Sequence, residues 1–209
     1  GTDGWRAIIA DDYTVDNVMR VAEATALFMK QRKMKKAVIG HDCRFGGPLF
    51  VSATARVLGA HGIRVYAGTG FVSTPMVSLG VVKLKADLGI VITASHNPPS
   101  YNGYKLKAAY GGPMIPSDIA EVEKLIPDAC TLKEVPTIGQ LVEKKLFQDV
   151  DLETMYLRHA KKNFDLRSIK QNAGRLAYDA MYGAGQRAVR KLLPKSVFLH
   201  CDENPGMHG

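Results

Sequence analysis

Leu88-Gly89-Ile90-Val91-Ile92 passes directly into Thr93-Ala94-Ser95-His96-Asn97-Pro98-Pro99-Ser100. Five apolar residues without polar alternation read as a strand buried on both faces, the kind found in parallel sheets covered by helices. The polar run that follows then lies beyond the carboxyl end of a strand, where open α/β sheets bind ligands. Toward the N-terminus, Ile63 to Tyr66 and Ala37-Val38-Ile39-Gly40 read as two more short buried strands. Helical patterns separate them. Gly47-Pro48 opens one with proline in its first turn, running to about Ala60 with Gly62 as its stop, and Ser73-Thr74-Pro75 begins a shorter one. Asp16 is the expected N-cap of an earlier helix with Val18, Val21, Ala22, Thr25 and Phe28 on one face.

Strands alternating with helices at this spacing require crossovers. The expected fold is α/β, a three-layer α/β/α unit with a mostly parallel mixed sheet. Past the serine-bearing segment, Ser117 or Asp118 is expected to cap a helix through Ile126, and residues 128–139 lose periodicity and read as connection. Asp151 to Phe164 reads as helix again. Leu176 to Asp179, a Gly183-Ala184-Gly185 turn, a helix to Leu193 and Val197 to His200 then form a new β-α-β. Two strands cannot enclose a core, so this is the incomplete start of a second α/β domain of the same kind. The expected division is 1–147 for the first domain and 148–209 for a linker helix and the second.

Composition narrows the classes. With 46% apolar and 23% charged residues the chain is an ordinary globular one. No apolar run approaches the roughly 20 residues that span a bilayer, and no membrane partner is expected. Gly1 to Arg6 has neither a basic n-region nor an apolar h-region, so a signal peptide is not expected. Cys43, Cys130 and Cys201 are widely spaced and odd in number, which argues against a disulfide framework and suits the cytoplasm. The net charge of +8 is dispersed except at Arg32, Lys33, Lys35 and Lys36. Solvated lysines explain it, or an anionic small substrate. A basic nucleic-acid-binding module would need clustered cations with stacking aromatics, which are missing. A serine hydrolase would need a Gly-x-Ser-x-Gly elbow, also missing. His200, Cys201 and His208 do not have a usual zinc spacing.

Ser95 with His96, Asn97 and, ten residues on, Lys105 offers a hydroxyl with an imidazole, an amide and an ammonium group. A hydroxyl nucleophile needs donors or a base for its proton, and a phosphorylated one needs cations to hold its charge. Asn102-Gly103 offers a turn that would send Lys105 back toward Ser95. The plain structural alternative is a polar hairpin in which Ser95 and Asn97 make local backbone hydrogen bonds. On the residues alone, Arg6 reads as a surface guanidinium in a terminal loop and Lys105 as a solvated strand lysine. Asp42 and Arg44 read as a structural pair at a strand end.

Thr93-Ala94-Ser95-His96-Asn97-Pro98-Pro99-Ser100-Tyr101-Asn102-Gly103-Tyr104-Lys105 resembles the phosphoserine loop of the α-D-phosphohexomutases, the phosphoglucomutase and phosphomannomutase family. Other segments agree in order: G-T-D-G-W-R at the start, I-G-H-D-C-R, G-F-V-S-T-P, A-D-L-G-I-V-I, L-A-Y-D-A-M-Y-G-A-G and E-N-P-G-M-H-G. One departure is Phe45-Gly46, where a serine often follows the arginine. The resemblance implies that Ser95 is phosphorylated in the resting enzyme and passes its phosphoryl group to O1 or O6 of a hexose phosphate, through a bound 1,6-bisphosphate. It implies that His96 contacts that group and that Lys105 and Arg6 neutralise its charge. It implies Mg²⁺ as cofactor, met in this chain only by a phosphate oxygen on Ser95, since the family's Asp-Gly-Asp-x-Asp-Arg metal loop is not matched. Glucose or mannose phosphates are the expected substrates, with a phosphoglucosamine mutase as the alternative. The family's sugar-selecting and phosphate-binding loops are not matched either, so the chain reads as a fragment expected to be inactive alone. Nothing in the pattern sets an oligomeric state.

Overall fold

The computed structural model describes residues 4–208; Gly1, Thr2 and Asp3 of the opening segment lie outside the described residues. Six strands form the main sheet: β1 (Gly4–Ile8), β2 (Lys36–His41), β3 (Arg64–Phe71), β4 (Leu88–Ile92), β5 (Tyr101–Ala108) and β6 (Phe147–Val150). Their order is β1-β5-β4-β2-β3-β6. β2 pairs in parallel with β3 and β4, and β3 with β6, while β5 is antiparallel to both β4 and β1. β5 therefore runs against the other five strands, and the sheet is mixed but mostly parallel.

Helices α1 (Val15–Gln31), α2 (Gly47–Ala60), α3 (Thr74–Lys83), α4 (Pro116–Lys124), α5 (Ile138–Glu143) and α6 (Leu152–Asn163) cover it. Adjacent strand residues point to opposite faces, and both faces are covered here. Ile39, Ile90, Ile92, Tyr104 and Leu106 pack with Phe28, Leu58 and Ile119 of α1, α2 and α4. Val38 and Val91 pack with Met76, Val77 and Val81 of α3 and Leu152 of α6. That double burial is why β2 and β4 show no polar alternation. Each such Ile or Val contributes roughly 1.5–3 kcal/mol relative to exposure.

Several local expectations are corrected. α1 is capped by Thr14, whose Oγ1 accepts from the Asn17 N–H at 3.2 Å. Asp16 sits in the first turn, where its charge suits the helix dipole. Neither Ser117 nor Asp118 caps α4, which starts at Pro116 with no side-chain cap. A proline in the first turn brings no orphan donor, and Asp118 instead pairs with Arg32 at 2.9 Å. β3 continues past Tyr66 to Phe71. The stretch read as connection holds the start of α5, with a capping box made by Thr137 and Gln140. β6 then pairs with β3, Val65 opposite Phe147, so the division expected after residue 147 falls inside β6. Six- and four-residue elements are too short to show a period.

Beyond α6 lie α7 (Leu166–Gln171), β7 (Ala177–Asp179), α8 (Gln186–Leu192) and β8 (Val197–Leu199), with β7 and β8 paired in parallel. α8 docks onto the first sheet. Arg187 Nε donates to Glu153 at 2.8 Å, its Nη2 donates to the Phe71 carbonyl at 2.7 Å, and its guanidinium stacks 3.9 Å over the Phe71 ring. Lys191 pairs with the same carboxylate. Leu176, Val197 and Leu199 remain exposed. Among the described residues no helix is long and apolar enough to cross a membrane.

Candidate active site

Residues 93–100 join β4 to β5 at the carboxyl edge of the sheet. Ser95, exposed there, adopts a φ of +58°. A non-glycine residue in this region costs on the order of 1–3 kcal/mol unless its surroundings impose it. Here they do. The Ser95 N–H donates to Thr93 Oγ1 at 3.1 Å, and that hydroxyl donates to Asp42 Oδ2 at 2.5 Å. Asp42 follows β2, and its other oxygen accepts the Arg44 backbone N–H at 3.0 Å.

Arg44 grips the loop from inside. Its Nη1 donates to the carbonyls of Pro98 and Tyr101 at 2.7 and 2.9 Å, and its Nη2 to those of Ser95 and Asn97 at 3.0 and 2.6 Å. The side chain is 1% exposed, with Nε 3.4 Å from Asp42 Oδ2. That approach is close enough for charge attraction, yet its alignment leaves Nε without a hydrogen-bond partner. Burial draws the Arg44 pKa down, opposed by the Asp42 charge. The strand-end pair read from the sequence is thus also the clamp of the serine loop. Sequence reasoning missed this because the four acceptors lie 51 to 57 residues away.

The other expected residues converge from two further strands. His96 is exposed, with Nδ1 3.4 Å from Ser95 Oγ, a long and weak contact. Arg6, on β1, extends Nη1 to Asn97 Oδ1 at 3.4 Å. It stands opposite Gly103 of β5, and Gly103 accepts the Thr93 N–H at 3.0 Å. Lys105 lies between Gly4 of β1 and Val91 of β4 and is 8% exposed, not solvated. By strand alternation Lys105 shares the face of Gly103, opposite Tyr104 and Leu106, and of the two cations Arg6 is the one seen reaching the loop, at Asn97. Asn102-Gly103 makes no turn: both residues are extended within β5, paired with Ala7 and Arg6. The reversal of direction is made by residues 93–100, and ladder pairing on both sides of β5 overrides the local turn preference of Asn-Gly.

Cys43, beside Asp42, is no rival nucleophile, since burial pushes its thiol up to about 12. A cavity of about 590 Å³ is lined by Trp5, Arg6, Val21, Tyr104, Ile119 and Val122 among others, so it includes Arg6 but not Ser95, His96 or Lys105. Ser95 sits on an open rim. Among the described residues no cluster of three or more His, Cys, Asp or Glu side chains is placed to hold a metal ion.

Comparison with known proteins identifies the family. The family described as phosphoglucomutase/phosphomannomutase, alpha/beta/alpha domain I, matches residues 1–131. A phosphoglucosamine mutase from Bartonella tribocorum is 33% identical over 99% of this chain and 46% of its own length. One from Sulfurovum is 31% identical over 88% of this chain and 41% of its own. The crystal structure of a Thermus thermophilus protein assigned as a phosphomannomutase superposes with a TM-score of 0.89 and 32% identity, covering all of this chain and 47% of that one. The chain thus spans less than half the length of each of these relatives.

Proposed function

This chain belongs to the phosphoglucomutase/phosphomannomutase family, and from that premise we propose that it is the phosphoserine-bearing part of a phosphohexomutase acting on hexose phosphates. The observation that carries the reading is Ser95, exposed at a φ of +58° on the rim of the sheet, with its loop clamped from within. In the resting form a phosphoryl group rests on Ser95 Oγ. The Oγ–P bond breaks as the phosphorus bonds to O1 or O6 of a hexose monophosphate; the sugar hydroxyl gives up its proton and Ser95 Oγ takes one up, leaving as a hydroxyl. The resulting 1,6-bisphosphate turns over in the site, and its other phosphoryl group returns to Ser95. Such a transfer has little covalent chemistry to catalyse, so positioning and cationic donors supply most of the acceleration. Lys105 and Arg6 supply charge to the phosphoryl oxygens, and His96 a donor beside Oγ.

Mg²⁺, the counter-charge this reading calls for, finds only a Ser95 phosphate oxygen in this chain, whose described side chains do not make a metal site. No step is derived through it. The remaining metal, sugar and phosphate contacts belong to residues outside this chain, and the chain alone is expected to lack turnover. The phosphoserine domain, expected to end at residue 147, is proposed to run on through β6 to Val150, with the start of a second domain beyond it, in a cytoplasmic enzyme. Glucose or mannose phosphates are the first substrates to try. Glucosamine phosphate is the second, favoured by the names of the Sulfurovum and Bartonella relatives.

The test is mass spectrometry for phosphate on Ser95 in the full-length protein, followed by turnover of glucose, mannose and glucosamine phosphates. Ser95→Ala should lower turnover by orders of magnitude while the melting temperature stays put, because an exposed hydroxyl contributes little packing. Near wild-type turnover in that variant would end the reading.

A further inference from the structure

We propose that Arg44 is a positioning residue for phosphoryl transfer, holding the serine loop so that the His96 backbone N–H and the Ser95 hydroxyl face an incoming phosphate together. The inference rests on the reading of Ser95 as phosphoryl carrier.

The peptide group is planar, with its C=O and N–H directed to opposite sides. The Ser95 carbonyl is turned inward onto Arg44 Nη2 at 3.0 Å. The N–H of the same peptide group, which belongs to His96, is therefore turned the other way, toward the side on which Ser95 and His96 are exposed. A backbone N–H beside a phosphorylated hydroxyl is the kind of fixed donor that stabilises a transferring phosphoryl group. The next carbonyls inward, from Asn97 and Pro98, each precede a proline, so their peptide groups carry no N–H at all. Buried without donors they would be orphaned and would drive the loop to turn over. The planar Arg44 fork takes these and the Tyr101 carbonyl as well, so one side chain satisfies four acceptors spread over residues 95–101. A lysine keeps the charge but has three donors on one atom and cannot span that width. Thr93 and Asp42 hold the Ser95 amide from the other end. Freed from Arg44, the Ser95–His96 peptide group can flip, and the left-handed φ loses its support.

Arg44→Lys separates geometry from charge. In the full-length protein we expect kcat to fall on the order of 10²-fold with KM within about threefold, the signature of lost alignment and not of lost binding. Exchange of the Ser95 amide, which donates to Thr93 Oγ1, measured relative to that of Val91 in the same sample, should rise at least about tenfold, because loop opening then precedes global unfolding. If Arg44→Lys melts below the assay temperature, Arg44→Gln, which keeps two N–H donors, is measured in its place. A lower melting temperature with unchanged kcat and an unchanged exchange ratio overturns the proposal and makes Arg44 a purely structural clamp. Ser95→Ala run alongside keeps the two readings apart: if it is inactive while Arg44→Lys is fully active, only the role of Arg44 fails. If Ser95→Ala is active, both fail.

Discussion

Gly103→Ala tests whether the site depends on three strands meeting at backbone contact. A Cβ built at Gly103 would lie 2.5 Å from the Thr93 carbonyl oxygen on one side and 2.7 Å from the Trp5 carbonyl oxygen on the other, with Arg6 Cγ at 3.1 Å. The first two are backbone atoms of the segments that flank β5, so neither can rotate out of the way as a flexible side chain would. Relief requires β1 and the start of the serine loop to move apart from β5, which strains the Thr93–Gly103 hydrogen bond at 3.0 Å. Overpacking of this sort costs about 1–3 kcal/mol, and a damaged ladder bond adds about 1 kcal/mol. A total near 3 kcal/mol lowers Tm by roughly 6–12 °C for a chain of this size. Thermal unfolding followed by circular dichroism measures it. Gly174→Ala is the control, since nothing lies within 4 Å of its Cβ. A Gly103→Ala melt within about 2 °C of wild type would refute the argument, because it would mean that the strands around Ser95 separate at almost no cost.

Two further outcomes follow from the same geometry. Replacing Lys105 by Met should lower turnover of the full-length protein on the order of 10²-fold if the ammonium supplies one transition-state contact; steady kcat with only a lower melting temperature would assign Lys105 to the fold. Glu23 contributes to acid stability. Burial alone would raise its pKa, but the hydrogen bonds from Thr131, with that from Cys130 and the nearby His61, together outweigh it, and the net shift is downward from 4.5. A lowered folded pKa means that the stabilisation is present above the unfolded value and is lost as pH falls through the folded one. Glu23→Gln should therefore be less stable than wild type at pH 7, with the gap narrowing below about pH 4.5; a gap independent of pH would show that the carboxylate charge is irrelevant there.

Much of this molecule is legible before any coordinates. Leu88–Ile92 is uninterruptedly apolar because both its faces are covered, and that one property leads to a layered, mostly parallel sheet with Ser95 at its carboxyl edge. Gly47–Ala60 announces its own start with Pro48 and its end with Gly62, which sits at a φ of +78°. These are local signals, written within a few residues of where they act. Apart from the Thr14 cap, which acts three residues away on Asn17, the pieces that stayed hidden depend on partners far along the chain. Thr14 outcompetes Asp16 as a cap because its backbone is already extended at that point. β6 is a strand only because β3 offers it an edge, and Asn102-Gly103 stays extended only because β1 and β4 hold β5 from both sides. Arg44 could be paired with Asp42 from the sequence, two residues away. That its guanidinium would collect four carbonyls of the serine loop was decided by the sheet, which brings the ends of β2 and β4 side by side, His41 opposite Ile92. Carbonyls that prolines leave without a ladder must find donors wherever the fold puts them. Local sequence chose the loop that carries Ser95, and long-range packing chose what holds it still.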